Sequence, residues 1–141
     1  MKISFETAKR KLSIPWFTAS SILFIIMFMQ TIGGKFEDKN IEAWGWFTQN
    51  LLPTLSLIIT VFVTDLNTEN SDKEVEKFYF NLAFGLSIFY LLVVLSVLLA
   101  QPLSSKGMIP WLQSSSIYLG PFQGLVAATV GMFFLKKVNK D

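Results

Sequence analysis

Along this chain the apolar positions neither alternate in the manner of strands nor gather into short amphipathic turns. They form four long runs separated by charged clusters. The first, WFTASSILFIIMFMQTIGG, occupies residues 16–34 without a charge. The others cover about 47–66, 78–100 and 114–135, free of Lys, Arg and Glu, with Asp65 only at an edge. At 1.5 Å rise per residue, about 20 apolar residues cover the roughly 30 Å hydrocarbon layer of a bilayer, so each run predicts one crossing. Pro15 suits a first helical turn and Gly33-Gly34 suits an exit. Lys9, Arg10 and Lys11 precede the first run like the basic part of a signal peptide. However, about 19 apolar residues exceed a signal core and no small-x-small cleavage pattern follows, so the first run is expected to remain as a span.

The predicted fold is therefore all-α: one integral membrane domain over residues 1–141, built as a four-helix transmembrane bundle with short connections. Basic residues orient it. Lys2, Lys9, Arg10, Lys11, Lys73, Lys77, Lys136, Lys137 and Lys140 fall on one side, against Lys35, Lys39 and Lys106 on the other. The positive-inside rule then places both termini and the middle loop in the cytoplasm. Trp16 is expected at the inner membrane boundary and Trp44, Trp46 and Trp111 at the outer one. Ser71 followed by Glu74 is a capping-box pattern, which predicts a cytoplasmic extension of the third helix over about 72–77. In MKISFETAKRKL, Phe5, Ala8 and Leu12 share one side, which fits either a short helix lying on anionic lipid or a frayed tail.

Composition agrees with a membrane protein: 52% apolar residues, 14 Phe and 16% charge, with mean hydropathy +0.49. The chain has no Cys and no His, which removes thiol chemistry, imidazole-ligated haem and the usual zinc, copper and non-haem iron sites. No cofactor and no metal are expected. A net charge of +2 without a basic, aromatic-interleaved stretch gives no reason to expect nucleic acid. The spans carry no midplane acid or base of the kind that proton-coupled carriers need, and no nucleophile with a base beside it, so an enzyme is not expected.

Chemistry is confined to stripes. At 100° per residue, Gln49, Pro53, Ser56, Thr60 and Thr64 fall within an arc of about 80° on the second span. Two readings stand. In one, the hydroxyls bond back to their own helix and let a neighbour approach closely; in the other, several copies turn this side to a common axis and wet a narrow pore. In the second reading Asp65 and Glu69 form an acidic ring at the cytoplasmic mouth, which favours cations. On the fourth span Ser116, Gly120, Gly124, Ala127 and Gly131 form a packing line containing a GxxxG pair. On the third, Asn81, Gly85 and Ser96 share a side, and Asn81 is expected to find a partner across helices. Gln123 is a candidate for a polar selectivity position or a helix cross-link.

The expected function is a small homo-oligomeric protein of a bacterial-type inner membrane that forms or gates an ion-permeable pore. Its partners are then membrane lipid, further copies of itself, and a cytoplasmic protein at residues 65–77. The alternative is a non-enzymatic accessory or anchoring subunit of a larger membrane complex. The architecture is similar to that of membrane-depolarising defence effectors, some holins and some accessory subunits. That likeness implies either role and carries no diagnostic motif.

Overall fold

A computed structural model describes residues 1–65, 73–135 and 138–139, with the side chains of Asp65, Val138 and Asn139 outside the description. Four helices dominate: α1 (Phe5–Ile32), α2 (Asn40–Asp65), α3 (Lys77–Ala100) and α4 (Met108–Leu135). Each is long and apolar enough to cross a membrane. α1 packs on α2 and α3, and α4 packs on the same two, so α1/α4 and α2/α3 are the diagonals of the bundle. The connection from α1 to α2 is tight because Gly34 takes φ +69. This lets the Lys35 N–H reach the Gln30 carbonyl at 3.0 Å and the Gly34 N–H reach that of Thr31 at 3.1 Å, so the last carbonyls of α1 are satisfied. A 3-10 turn (Gln101–Leu103), with Pro102 in its first positions, ends α3.

Two expectations at the other end of the bundle are corrected. The cytoplasmic extension of α3 expected over about 72–77 is not helical at Lys73–Glu76, which form a strand, β2, and α3 begins at Lys77. β2 lies between β1 (Lys2–Ser4) and β3 (Val138–Asn139), antiparallel to both. Lys2 pairs with Glu76, Ile3 with Val75 and Ser4 with Glu74, and Lys2 Nζ lies 3.7 Å from Glu74 Oε2. In KEVE the one apolar residue, Val75, stands between Glu74 and Glu76. Pairing with a strand distant in sequence buries Val75, which a local helix cap would leave to chance. Ser71, the other half of the capping pattern, lies outside the described residues, as does Glu69. The second correction concerns the N-terminal segment, which is neither a separate interfacial helix nor a frayed tail. α1 starts at Phe5 and runs unbroken through Pro15. The face of Phe5, Ala8 and Leu12 is real, but it is buried in the bundle rather than turned to lipid.

Because β1 and β3 come from the chain ends and β2 from the α2–α3 connection, all three lie at one end of the bundle. That end is closed by aromatic packing: Phe5 stacks on Phe133 at 5.9 Å and meets Phe134 edge-on at 6.2 Å. Lys9 turns inward there, 4% exposed, with Nζ 2.8 Å from Glu6 Oε2 and 4.8 Å above the Phe62 ring. Its charge is thus paired and capped by an aromatic face as its stem is buried.

Candidate functional site: two polar faces of the second helix

α2 carries polar groups on two adjacent lines, which point to different places. The first is the stripe read from the sequence. Gln49, Pro53, Ser56, Thr60 and Thr64 are all exposed on the outside of the single bundle. The Thr60 hydroxyl donates to the Ser56 carbonyl at 2.8 Å and the Thr64 hydroxyl to the Thr60 carbonyl at 3.0 Å. These hydroxyls are satisfied within their own helix, and among the described residues no other helix covers them. Asp65 ends α2 beside them.

The α4 line behaves similarly. Ser116, Gly120 and Ala127 are half-buried and Gly124 is exposed. A Cβ built at Gly120 or Gly124 would meet nothing within 4 Å, whereas one at Gly131 would touch Leu57 Cδ2 at 3.9 Å. Within one chain, then, only Gly131 serves close approach to α2, and the GxxxG pair faces open space. Packing of α2 on α4 uses neighbouring positions: Trp46 Nε1 donates to Ser115 Oγ at 2.8 Å and Gln123 Nε2 to Thr54 Oγ1 at 3.3 Å. Gln49 is one turn from Trp46, and Ser116 follows Ser115. Both border one cleft of about 310 Å³ together with Glu42 and Gln113. The two sequence-derived stripes therefore flank the same α2–α4 seam on its outer side and make one face that is small, polar and uncovered.

The second line of α2, Asn50 and Thr54, points inward and was not singled out from the sequence. Asn50 is 2% and Thr54 0% exposed. Tyr90 of α3 reaches across the bundle diagonal, its hydroxyl 3.0 Å from the Asn50 carbonyl and 3.1 Å from Asn50 Oδ1, while Asn50 Nδ2 donates to the Trp46 carbonyl at 2.7 Å. With Gln123 bonded to Thr54, three helices are cross-linked near the middle of their length. Trp16 of α1 stacks on Tyr90 at 6.1 Å and is fully buried. The expectation that Trp16 marks a membrane boundary is corrected: its ring is a core filler halfway along the bundle. Its Nε1, together with Ser20 Oγ and Ser87 Oγ, is buried without a hydrogen-bond partner. Among the described residues, the other buried hydroxyls, of Ser13, Thr54, Tyr90, Ser115 and Thr129, are bonded.

Among the described residues no partner for Asn81 is found. Asn81 and Gly85 lie exposed on α3, Gly85 with nothing within 4 Å of a built Cβ, and Ser96, also exposed, bonds back to the Leu92 carbonyl at 2.7 Å. The amides that join helices are Asn50 and Gln123 instead. A signal for Asn50 was present: an amide in mid-span is the costliest neutral side chain to leave in lipid, so it should head the list of inward groups. The core at this level is filled by Trp16, Tyr90, Phe122 and the bonded amides, with Tyr90 and Phe122 5.7 Å apart. It is a packed layer, not a lumen.

No protein-family model, curated protein or solved structure matches the chain.

Proposed function

We propose that this chain is a non-enzymatic, four-span protein of a bacterial-type inner membrane, with both termini cytoplasmic. It self-associates through its α2–α4 face to form or gate an ion-permeable pore, in the manner of a membrane-depolarising effector. One observation carries the proposal: the polar stripe of α2 and the Gly120–Gly124 pair of α4 meet on one outward face that no described helix covers. Small residues on a spanning helix let backbones approach closely, and in lipid the gain of that approach is realised only against another helix. Since the interior of one bundle is packed, an aqueous path has to run between copies. The α2 hydroxyls and Gln49 then border it, Glu42 stands near one mouth, and Asp65 ends α2 at the other. Carboxylates at the mouths favour cations.

The test is ion flux from liposomes holding a verified oligomer. Ser56→Leu and Thr60→Leu each lower the cation flux at least tenfold on this reading while leaving the oligomer intact. A second reading is favoured by a specific feature: the Thr60 and Thr64 hydroxyls already bond their own helix and so do not need water. The same face then receives a helix of another protein, and the chain is an accessory or anchoring subunit. A properly inserted oligomer without flux, or a monomer that holds a foreign membrane helix, decides for that reading.

A further inference from the structure

The α1–α2 side of the bundle carries a different chemistry from the α2–α4 face. At the end that holds the chain termini, Arg10, Ile14 and Phe17 of α1 and Phe62 of α2 border a groove of about 370 Å³. Phe17 also opens the next groove, of about 570 Å³, which passes Phe24 and reaches Trp44. Sharing Phe17, the two make one furrow. Its wall on α1 follows a single helical line, since Arg10, Ile14, Phe17 and Phe24 are spaced by four, three and seven residues. Arg10 to Phe24 spans about 21 Å at 1.5 Å per residue, slightly more than the depth of one leaflet, about 15 Å of a roughly 30 Å layer. Arg10 is exposed at the head of this furrow. Among the described residues it has no ion-pair partner, because Glu6, the acid one turn before it, is held by Lys9 at 2.8 Å.

We infer that the furrow is a binding site for an anionic phospholipid of the leaflet on the termini side. The phosphate lies on the Arg10 guanidinium, and one acyl chain runs along Ile14, Phe17 and Phe24. A guanidinium offers paired N–H donors in the geometry of phosphate oxygens. A basic residue at the membrane surface prefers a lipid of net negative charge to a zwitterionic one. The rings below it give a grooved apolar wall to which a flexible chain conforms. The site lies on another side of α2 from the proposed self-association face and does not depend on a pore.

Native mass spectrometry of the full chain, released from micelles containing equal amounts of phosphatidylglycerol and phosphatidylcholine with identical acyl chains, tests it. The wild type retains phosphatidylglycerol preferentially. Arg10→Gln lowers that preference about fivefold, the effect of one basic residue at the surface. Lys11→Gln, which changes a neighbouring charge off the furrow, leaves it in place. Ser21→Trp, which fills the furrow from an exposed position, lowers retention of both lipids with unchanged helical circular dichroism. Equal retention of the two lipids by the wild type, a preference unmoved by Arg10→Gln, or retention unmoved by Ser21→Trp overturns the inference and leaves ordinary annular lipid only.

Discussion

Tyr90 and Asn50 bind the middle of the bundle because a buried amide in an apolar surrounding is stable only when bonded, and the Tyr90 hydroxyl meets Asn50 across the α2/α3 diagonal. Hydrogen bonds between spanning helices contribute about 0.6 kcal/mol on average and up to about 1.7. Tyr90→Phe keeps the ring stack on Trp16 and removes those bonds, so it lowers resistance to unfolding in detergent by an amount in that range. Ser87→Ala has the opposite sign. It removes a buried hydroxyl without a partner, and the same unfolding measurement finds it neutral or stabilising by up to about 1 kcal/mol. A loss above about 1 kcal/mol on Ser87→Ala shows that its hydroxyl is bonded. Of these core residues only Trp16 stands out in the sequence, where the preference of tryptophan for membrane interfaces suggests a boundary position. A tryptophan at a span's edge and one inside a longer helix look alike until the helix start is known.

At the scale of elements, α1 and α3 exchanged their expected beginnings. A helix was expected before the third span, where a strand exists, and a loose or lipid-bound segment before the first span, where helix continues to Phe5. Two local signals compete: Ser71 and Glu74 have capping spacing, which favours helix, and Val75 is a single apolar residue between Glu74 and Glu76, which gains burial only from a partner. The choice between them belonged to Ile3, more than seventy residues away, which offers Val75 an apolar partner. Breaking the pairing with Ile3→Pro, which removes a ladder donor, is expected to leave the spans folded and speed amide exchange across Lys73–Glu76. α4 allows the reverse experiment. A Cβ built at Gly124 meets no described residue within 4 Å, and leucine is a better helix former than glycine by nearly 1 kcal/mol. Gly124→Leu therefore leaves monomer stability equal or higher, while crosslinking reports loss of the oligomer if the α4 line is its contact. Crosslinked oligomer at the wild-type level removes α4 from that contact.

For the whole molecule, the sheet requires that both termini and the α2–α3 connection share one end of the bundle, a relation that base counting reached independently. The chain has no cysteine, so single cysteines report sidedness directly. In intact cells an impermeant maleimide is expected to spare Lys2→Cys and label Lys106→Cys, with both reacting after lysis. Labelling of both in intact cells contradicts the sheet and the orientation together. Four long apolar helices, the charge distribution and the helical line of each polar stripe follow from composition and spacing alone. Hydrocarbon demands a long uncharged helix wherever the chain crosses, and helical period puts Gln49, Ser56, Thr60 and Thr64 on one line whatever surrounds them. Which line turns inward was decided only by tertiary structure. Asn50 and Thr54 sit next to that stripe on the helical surface, and only the positions of Tyr90, Ser115 and Gln123 on other helices make the first line the outside and the second the core. Periodicity separates the faces of a helix, but burial is a property of what packs against each face, and that is set by residues distant in the chain.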